Sequence, residues 1–423
     1  MKILYVIPRM TYGGGMPAIL TEVKTIRQII ADFTATVVTL ESGLSTDMMT
    51  EAIANGLKVL LAPSSFLLKK LISSADLTVV HYWNCPSMFR FLRLLADSSV
   101  PHRLCLSVRV NGCTLPQVVP EWVYSIADAL IQLHPRTPAI GLRPGIEKQV
   151  IPSLIRLSEQ LSPPGIPSFN TFRMFHAGTL NYFKTHPQLI PLHEGLRIND
   201  YSFDIWGTGM DKVFEDDLTQ ANDVMYKGFS RSMFEDMAPY HLLCNPQTAL
   251  SYGSFDKIMR ESQWMGKPVI VLKNSFVADH IIDGVNGIIA EDEQAYRACL
   301  ESIAAQPAVY KRLAESTLQY TRTHYQLINY VESTVQLYRR ALQRPPKVVT
   351  YAHIPEKPDD AVLDGLGHWK TLLLEQPELL SNMEIKYALR CEGGLIHYYK
   401  YYPDNTALYT RITQLLALEQ SIA

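Results

Sequence analysis

Long apolar runs are the first thing this sequence lacks. No stretch approaches the roughly 20 uninterrupted apolar residues that a membrane-spanning helix needs, so no transmembrane segment is expected. Cysteine is scarce as well. The six present, Cys85, Cys105, Cys113, Cys244, Cys299 and Cys391, include no C-x-x-C pair, which argues against a zinc site or a disulfide framework and predicts a reducing, cytoplasmic compartment. Neither sign of charge dominates: the net charge of −2 gives no global reason to expect nucleic acid and leaves only a local basic face on one domain. A secretory leader is not expected either. The apolar run in MKILYVIPRM reaches Pro8 quickly and no small-residue cleavage site follows, so it reads as a first buried strand.

What is present describes a soluble globular chain, with 47% hydrophobic and 19% charged residues. At 423 residues it is too long for one ordinary core, so two domains with an appendage are expected. The first part alternates short apolar runs, KILYVIP, TATVVTL, LKVLLA, DLTVVHY and HRLCLSV, with helical patterns. Buried parallel strands joined by crossover helices give that rhythm, which predicts an α/β doubly wound domain. RLSEQLSPPGIPSFNT, from Arg156, breaks it with proline, serine and glycine and is the expected linker. The rhythm restarts with FRMFHAG, a helical HPQLIPLHEGLR, YSFDIWG, DVMYKGF, HLLCNP and NGIIAED, and helical patterns then run from Glu293 to about Leu342. The remainder reads as a mixed tail, with a turn at PEKPDD, a helical LLLEQPELLSNMEIKYALR and a tyrosine-rich HYYKYYPDN. Leu372, Leu373, Leu374, Leu379 and Leu380 form an apolar face that is expected to pack on the body or a partner. The Asp359-Asp360 pair in PEKPDD reads as a solvated turn and not as a metal site.

One short stretch raises a question of charge. In SYGSFDKIMRESQWMGKPVIVL a Gly253-Ser254 turn leads into an amphipathic helix over 255–265, which Gly266 caps before a strand from Val269. Lys257 stands in the first helical turn, where free backbone N–H groups already favour an anion. Two readings stay open: a helix-surface ion pair with Glu261, worth no more than roughly 0.2–0.5 kcal/mol, or a bound anion, most plausibly a phosphate, at the helix end beside Lys257.

In doubly wound sheets ligands bind outside the carboxyl ends of the strands, so the loops that follow the strands hold the candidates. TYGGGMPAIL offers Gly13, Gly14 and Gly15, either a tight turn or a close backbone approach to a ligand; it is not G-x-G-x-x-G with an acidic ribose binder, which discounts a dinucleotide. HYWNCP places His81, Trp83 and Asn84 at a strand end, His81 being either a buried, satisfied histidine or a group that positions the second substrate. HAGTLNYFKTHP supplies Gly178 and Lys184, and DIWGTGMD supplies Gly207 and Gly209. Lys184 alone reads as a solvated lysine. With Lys257 and a glycine-lined cleft it reads as half of a diphosphate clamp.

The ordered set HAGTLNYFK, DIWGTGMD, VMYKGFS, APYHLLCNP, FDKIMRESQWMGKPVIV and HIIDGVNGIIAED resembles family 4 of the retaining GT-B glycosyltransferases. The likeness extends from the N-terminal glycine loop through QVIPSL to the helices near Leu342. It implies an α/β protein of GT-B type, two Rossmann-like domains facing across a cleft, plus a C-terminal extension. The expected division is an acceptor-side domain at 1–157, a linker at 158–170, a nucleotide-sugar domain at 171–325, helices at 326–345 and a mixed extension at 346–423.

By that resemblance Glu261 falls on the carboxylate that holds the nucleotide ribose, Lys184 on the lysine that stabilises the departing diphosphate, and Gly14 on the glycine loop that closes over the phosphates. His81 falls in the region that contributes to the sugar and acceptor site. Lys184 and His81 are thus the expected catalytic residues; Gly14, Gly15, Gly178, Gly207, Gly209, Lys257 and Glu261 the donor-binding ones; and Arg231, Ser254, Phe255 and Asp256 further candidates. Two departures stand out. Gly253 occupies the place of the family's first glutamate, and Thr179 that of its usual arginine, which leaves Lys257 or Arg231 as substitutes.

The implied activity is transfer of a hexose or modified hexose from a nucleoside-diphosphate sugar, UDP-linked by default, to an unidentified acceptor, with retention and with no metal or other cofactor. The competing reading is a non-catalytic GT-B subunit that binds a nucleotide or a partner. A third, nucleotide-sugar epimerisation, needs additional acid or base groups that the sequence does not identify. The extension reads either as a structural strap across the two domains or as an acceptor-binding element, and it is where a partner surface would lie.

Overall fold

The computed structural model describes residues 1–11, 15–43, 45–155, 165–349 and 354–422. The chain forms two compact units, one of Met1–Leu154 with Ile328–Ala423 and one of Ile155–Leu327. The linker expected at 158–170 lies largely outside the described residues.

The first unit is built on seven strands, β1 Lys2–Ile7, β2 Thr34–Thr39, β3 Lys58–Leu61, β4 Leu77–Tyr82, β5 Leu104–Val108, β6 Ala129–Gln132 and β7 Glu147–Val150, in the order β3-β2-β1-β4-β5-β6-β7. Every pairing is parallel. Strands covered on both faces read as continuous apolar runs, and all six residues of β4, LTVVHY, are buried. The last two strands were not legible in the sequence: β6 is only four residues, and β7 is the polar EKQV on the sheet's edge, where charge discourages further pairing.

The extension belongs to this first unit and is helical: Pro358–Asp364, Trp369–Glu375, Asn382–Arg390, Leu395–Tyr401 and Thr406–Ile422. PEKPDD therefore does not end in a solvated turn. Pro358 takes the first position of a helix whose first turn holds Asp359 and Asp360, where acidic side chains suit the exposed N–H groups, and Asp359 accepts from Asn405 Nδ2 at 2.9 Å. LLLEQPELLSNMEIKYALR is likewise two helices, interrupted at Pro377 and restarted by a capping box of Ser381 and Glu384. Of the leucines expected to pack, Leu373 and Leu380 are buried while Leu374 and Leu379 are exposed. Leu366, Val362, Ile385, Leu389, Leu395, Tyr398 and Leu408 anchor the extension, each fully or almost fully buried.

The second unit carries six parallel strands, β8 Phe172–Thr179, β9 Tyr201–Thr208, β10 Val224–Gly228, β11 Leu242–Cys244, β12 Val269–Leu272 and β13 Gly287–Ala290, in the order β10-β9-β8-β11-β12-β13. Side chains alternate across a strand, and β8 shows it: Phe172 and Met174 join the core on one face, Phe175 and Ala177 the core on the other. The segment HPQLIPLHEGLR, read as helical, contributes only a short 3-10 turn at Pro191–His193, because Pro187 and Pro191 interrupt a longer helix. The helix in the charged stretch runs Lys257–Trp264, and Gly266 takes the positive φ of +70° that a C-terminal glycine cap requires. Among the described residues no helix is long and apolar enough to cross a membrane. All six cysteines are free thiols.

Candidate active site

The carboxyl ends of β8, β9 and β11 bring the second unit's predicted residues together. Gly178 and Gly207 are register partners on β8 and β9. A Cβ at Gly207 would lie 1.9 Å from the Gly178 carbonyl oxygen, so only glycine permits this approach. Gly209 follows with φ +79°. Beyond β8 the Asn181 side chain folds the chain into a tight turn, accepting the N–H groups of Phe183 and Lys184 at 3.1 Å each. That turn delivers Lys184.

Lys184 Nζ lies 2.8 Å from Asp256 Oδ1. The other carboxylate oxygen accepts from Asn245 Nδ2 at 3.0 Å and from Gln247 Nε2, both in the loop after β11. Burial alone would raise the Asp256 carboxyl, but the Lys184 charge and the hydrogen bonds from Lys184 and Asn245 outweigh it and hold the group below the usual carboxylate range. Ser251 Oγ sits 3.0 Å from Gln247 Oε1 and 3.2 Å from the Lys184 carbonyl oxygen, tying the loop to the lysine turn. Asp256 occupies the N-cap position of the helix Lys257–Trp264 yet makes no capping hydrogen bond, because its carboxylate is committed to this network.

The ion-pair reading of Lys257 can be set against the side-chain geometry. Its Nζ lies 2.8 Å from Glu261 Oε1, and the Glu261 side chain is only 7% exposed, so the helix-surface pair does form. The site thus holds two ion pairs, Lys184 with Asp256 and Lys257 with Glu261, and an anionic ligand has to compete with two carboxylates for the two cations. Ser254 is buried, and its carbonyl oxygen accepts from His280 Nε2 at 2.9 Å. Phe255 is buried edge-on to His280 at 4.8 Å, with the Arg260 guanidinium 5.2 Å above its ring. Arg231 is exposed, between β10 and the helix Met233–Asp236.

Asn245, Gln247, Ser251 and His280 were not anticipated. Polar residues in a loop carry no periodicity, and only the fold shows that Asn245 and Gln247 reach Asp256, that Ser251 ties Gln247 to the lysine turn and that His280 meets Ser254 and Phe255. His176 was missed for a different reason, since a histidine inside FRMFHAG reads as core. Its Nδ1 donates to the Cys244 carbonyl oxygen at 2.8 Å and its Nε2 is buried with no partner among the described residues. Burial lowers its pKa to about 4, so it is neutral at physiological pH.

The remaining candidates belong to the first unit. His81, on β4, is 2% exposed and meets the Tyr5 ring edge-on at 6.1 Å. Burial, aided by the positive Arg109, holds its pKa well below the usual histidine range. Gly15 opens the helix Gly15–Ile29, and a Cβ there would meet the Trp83 indole at 3.6 Å. Gly13 and Gly14 lie outside the described residues. Among the described residues no group of three or more His, Cys, Asp or Glu side chains is placed to hold a metal ion.

No protein-family model and no curated protein matches this sequence. Solved structures do match. HepE of Anabaena in complex with UDP-glucose has a TM-score of 0.65 over 79% of this chain and 98% of its own, at 16% identity. The pneumococcal O-GlcNAc transferase GtfA in complex with UDP and GlcNAc has a TM-score of 0.63 over 81% and 99%, at 10% identity. Sucrose-phosphate synthase from Thermosynechococcus elongatus has 0.60 over 81% and 99%, at 13% identity. At such identities the likeness is one of fold. The chain has the GT-B fold, with a helical extension at its C-terminus.

Proposed function

We propose that this chain is a glycosyltransferase of the retaining family 4 type, which moves a hexose or modified hexose from a nucleoside-diphosphate sugar, UDP-linked by default, to an acceptor. The observation that carries this reading is Lys184, held at the carboxyl end of β8 by a buried network and beside two glycines that leave the backbone bare. The UDP-glucose complex of HepE and the UDP complex of GtfA, on the same fold, support it. In this reading Glu261 accepts the ribose hydroxyls. Lys184 turns from Asp256 toward the diphosphate as negative charge grows on the leaving group, with Lys257 and the helix start beside it, and no metal is required.

A specific observation favours the non-catalytic alternative: both lysines are already neutralised by carboxylates, and Gly253 and Thr179 stand where the family has charged groups. A thermal-shift screen of nucleoside diphosphates separates ligand binding from its absence, because a ligand at 100 times its Kd adds about 2.7 kcal/mol. No shift with any nucleotide removes the donor site. Glu261→Ala is expected to weaken the nucleotide that does bind by about 1.5–3 kcal/mol, the worth of a charged acceptor. Unchanged affinity in a folded variant, read by calorimetry, removes the ribose assignment.

A further inference from the structure

The strand order of the first unit's sheet reverses between β1 and β4, and in an open parallel sheet that switch point is where the carboxyl ends leave a crevice. Arg9 follows β1, and Trp83 and Asn84 follow β4. The C-terminal extension reaches this place. Gln117 clasps Asn84, accepting its N–H at 2.9 Å and donating to its carbonyl oxygen at 3.0 Å, and donates also to the carbonyl of Glu392. Tyr398 donates its hydroxyl to Asn84 Oδ1 at 2.8 Å. The Glu392 carboxylate pairs with the Arg9 guanidinium. Gly393 N–H donates to His397 Nδ1 at 3.0 Å, which puts the ring proton on Nε2. Burial and the charge of Glu41, just after β2, push the Tyr401 hydroxyl up to about 12, and the same carboxylate accepts from Ser87 Oγ at 2.7 Å.

These groups are not sealed. Arg9 and Glu392 are 39% and 30% exposed, and Glu41, Trp83, His397 and Tyr401 are half-buried. A strap needs only the buried contacts, Tyr398 on Asn84 and the two glycines Gly365 and Gly393 against the same turn. The half-exposed rim adds carboxylates that accept from hydroxyls, a guanidinium and an imidazole N–H that donate, and aromatic faces that cover apolar ring carbons. Glu41 and Glu392 stand against Arg9 and the exposed Lys400 near His397, which leaves no excess of positive charge to favour an anionic guest.

We infer that the extension forms one wall of the acceptor site, Glu392, His397 and Tyr401 joining Arg9, Glu41 and Trp83 to hold an uncharged saccharide. The word acceptor rests on the transferase reading; the saccharide site does not. The test uses the full chain and two independent probes. Saturation-transfer NMR with the methyl glycosides of glucose, N-acetylglucosamine, galactose and mannose, and with methyl glucuronide, reads this site, while calorimetry with UDP on the same samples reads the donor site. At least one neutral glycoside is expected to bind, glucuronide more weakly, and Glu392→Gln and Tyr401→Phe each to weaken that binding about tenfold with UDP affinity unchanged. Tyr401→Phe keeps the ring and so guards against simple misfolding. Silence from every neutral glycoside, tighter binding of glucuronide, or full binding in both variants overturns the inference. Glycoside binding without UDP binding upholds it and sinks the transferase reading.

Discussion

Lys184→Ala is expected to lower turnover at saturating donor by about 10²–10³-fold, the cost of removing one preorganised group that meets developing charge, while nucleotide affinity changes far less. The reason lies in when the charge is needed. A cation that faces Asp256 in the resting state contributes little to ground-state binding, since it leaves one anion to meet another, and its benefit grows as the diphosphate departs. The same variant is expected to lose stability, because Asp256 stays buried with its cation gone, and breaking one side of a buried pair costs about 3–5 kcal/mol. Lys184 retains 24% side-chain exposure, which places the loss at the lower end.

Stability and chemistry are separable here. Lys184→Met combined with Asp256→Asn removes both charges, so most of the stability returns while turnover does not. pH gives an independent check. The Asp256 carboxyl lies below its usual range in the folded protein, so the pair's contribution is full above the ordinary aspartate pKa and is lost as pH falls through the depressed value. In Lys184→Ala the carboxyl rises, and the acid-unfolding midpoint should move to higher pH. Restored turnover in the double variant, or a loss of UDP affinity with turnover at saturation intact, contradicts the role assigned to Lys184.

What was legible in the sequence follows the physics of each signal. Doubly covered strands such as LTVVHY announce themselves because burial on both faces leaves them mostly apolar, Thr78 and His81 being the polar residues buried on this one. β7 did not, since an edge strand tolerates Glu147 and Lys148. At the site, the glycines and Lys184 were readable as an ordered motif, whereas the Asp256 network was not: Asn245, Gln247 and Ser251 meet it through the return of the chain after β11. The pairing of Lys257 with Glu261 was one of two readings that helix spacing left open, and side-chain geometry shows that the pair forms. The extension shows the limit most clearly. Its apolar leucines suggested packing, but the residues that fix it, Gly365, Gly393 and Tyr398, act through contacts with a turn at the far end of the sequence.

Gly393→Ala is therefore expected to be the most damaging small substitution in the first unit, destabilising it by more than about 4 kcal/mol. Gly393 holds φ +89°, a conformation that L residues rarely adopt, and a Cβ there would lie 2.3 Å from the Asn84 carbonyl oxygen and 2.6 Å from Gln117 Nε2. The first of these is backbone, and it has little freedom to retreat. Asn84 is fixed through its N–H by Gln117, through Nδ2 by the Pro116 carbonyl at 2.6 Å, and through Oδ1 by Tyr398. Gly365→Ala should cost less, because its φ of −67° suits any residue, although a Cβ there would lie 1.8 Å from the Asn84 side-chain amide that Pro116 and Tyr398 hold in place and 2.8 Å from the Pro116 carbonyl. Gly43→Ala is the control, with nothing among the described residues within 4 Å of its Cβ and an expected change within about 0.5 kcal/mol. Thermal unfolding ranks the three, and proteolysis reports whether cleavage begins in the extension. A Gly393→Ala protein as stable as Gly43→Ala would mean that the extension does not rest on the turn after β4, and the saccharide wall inferred there would lose its support.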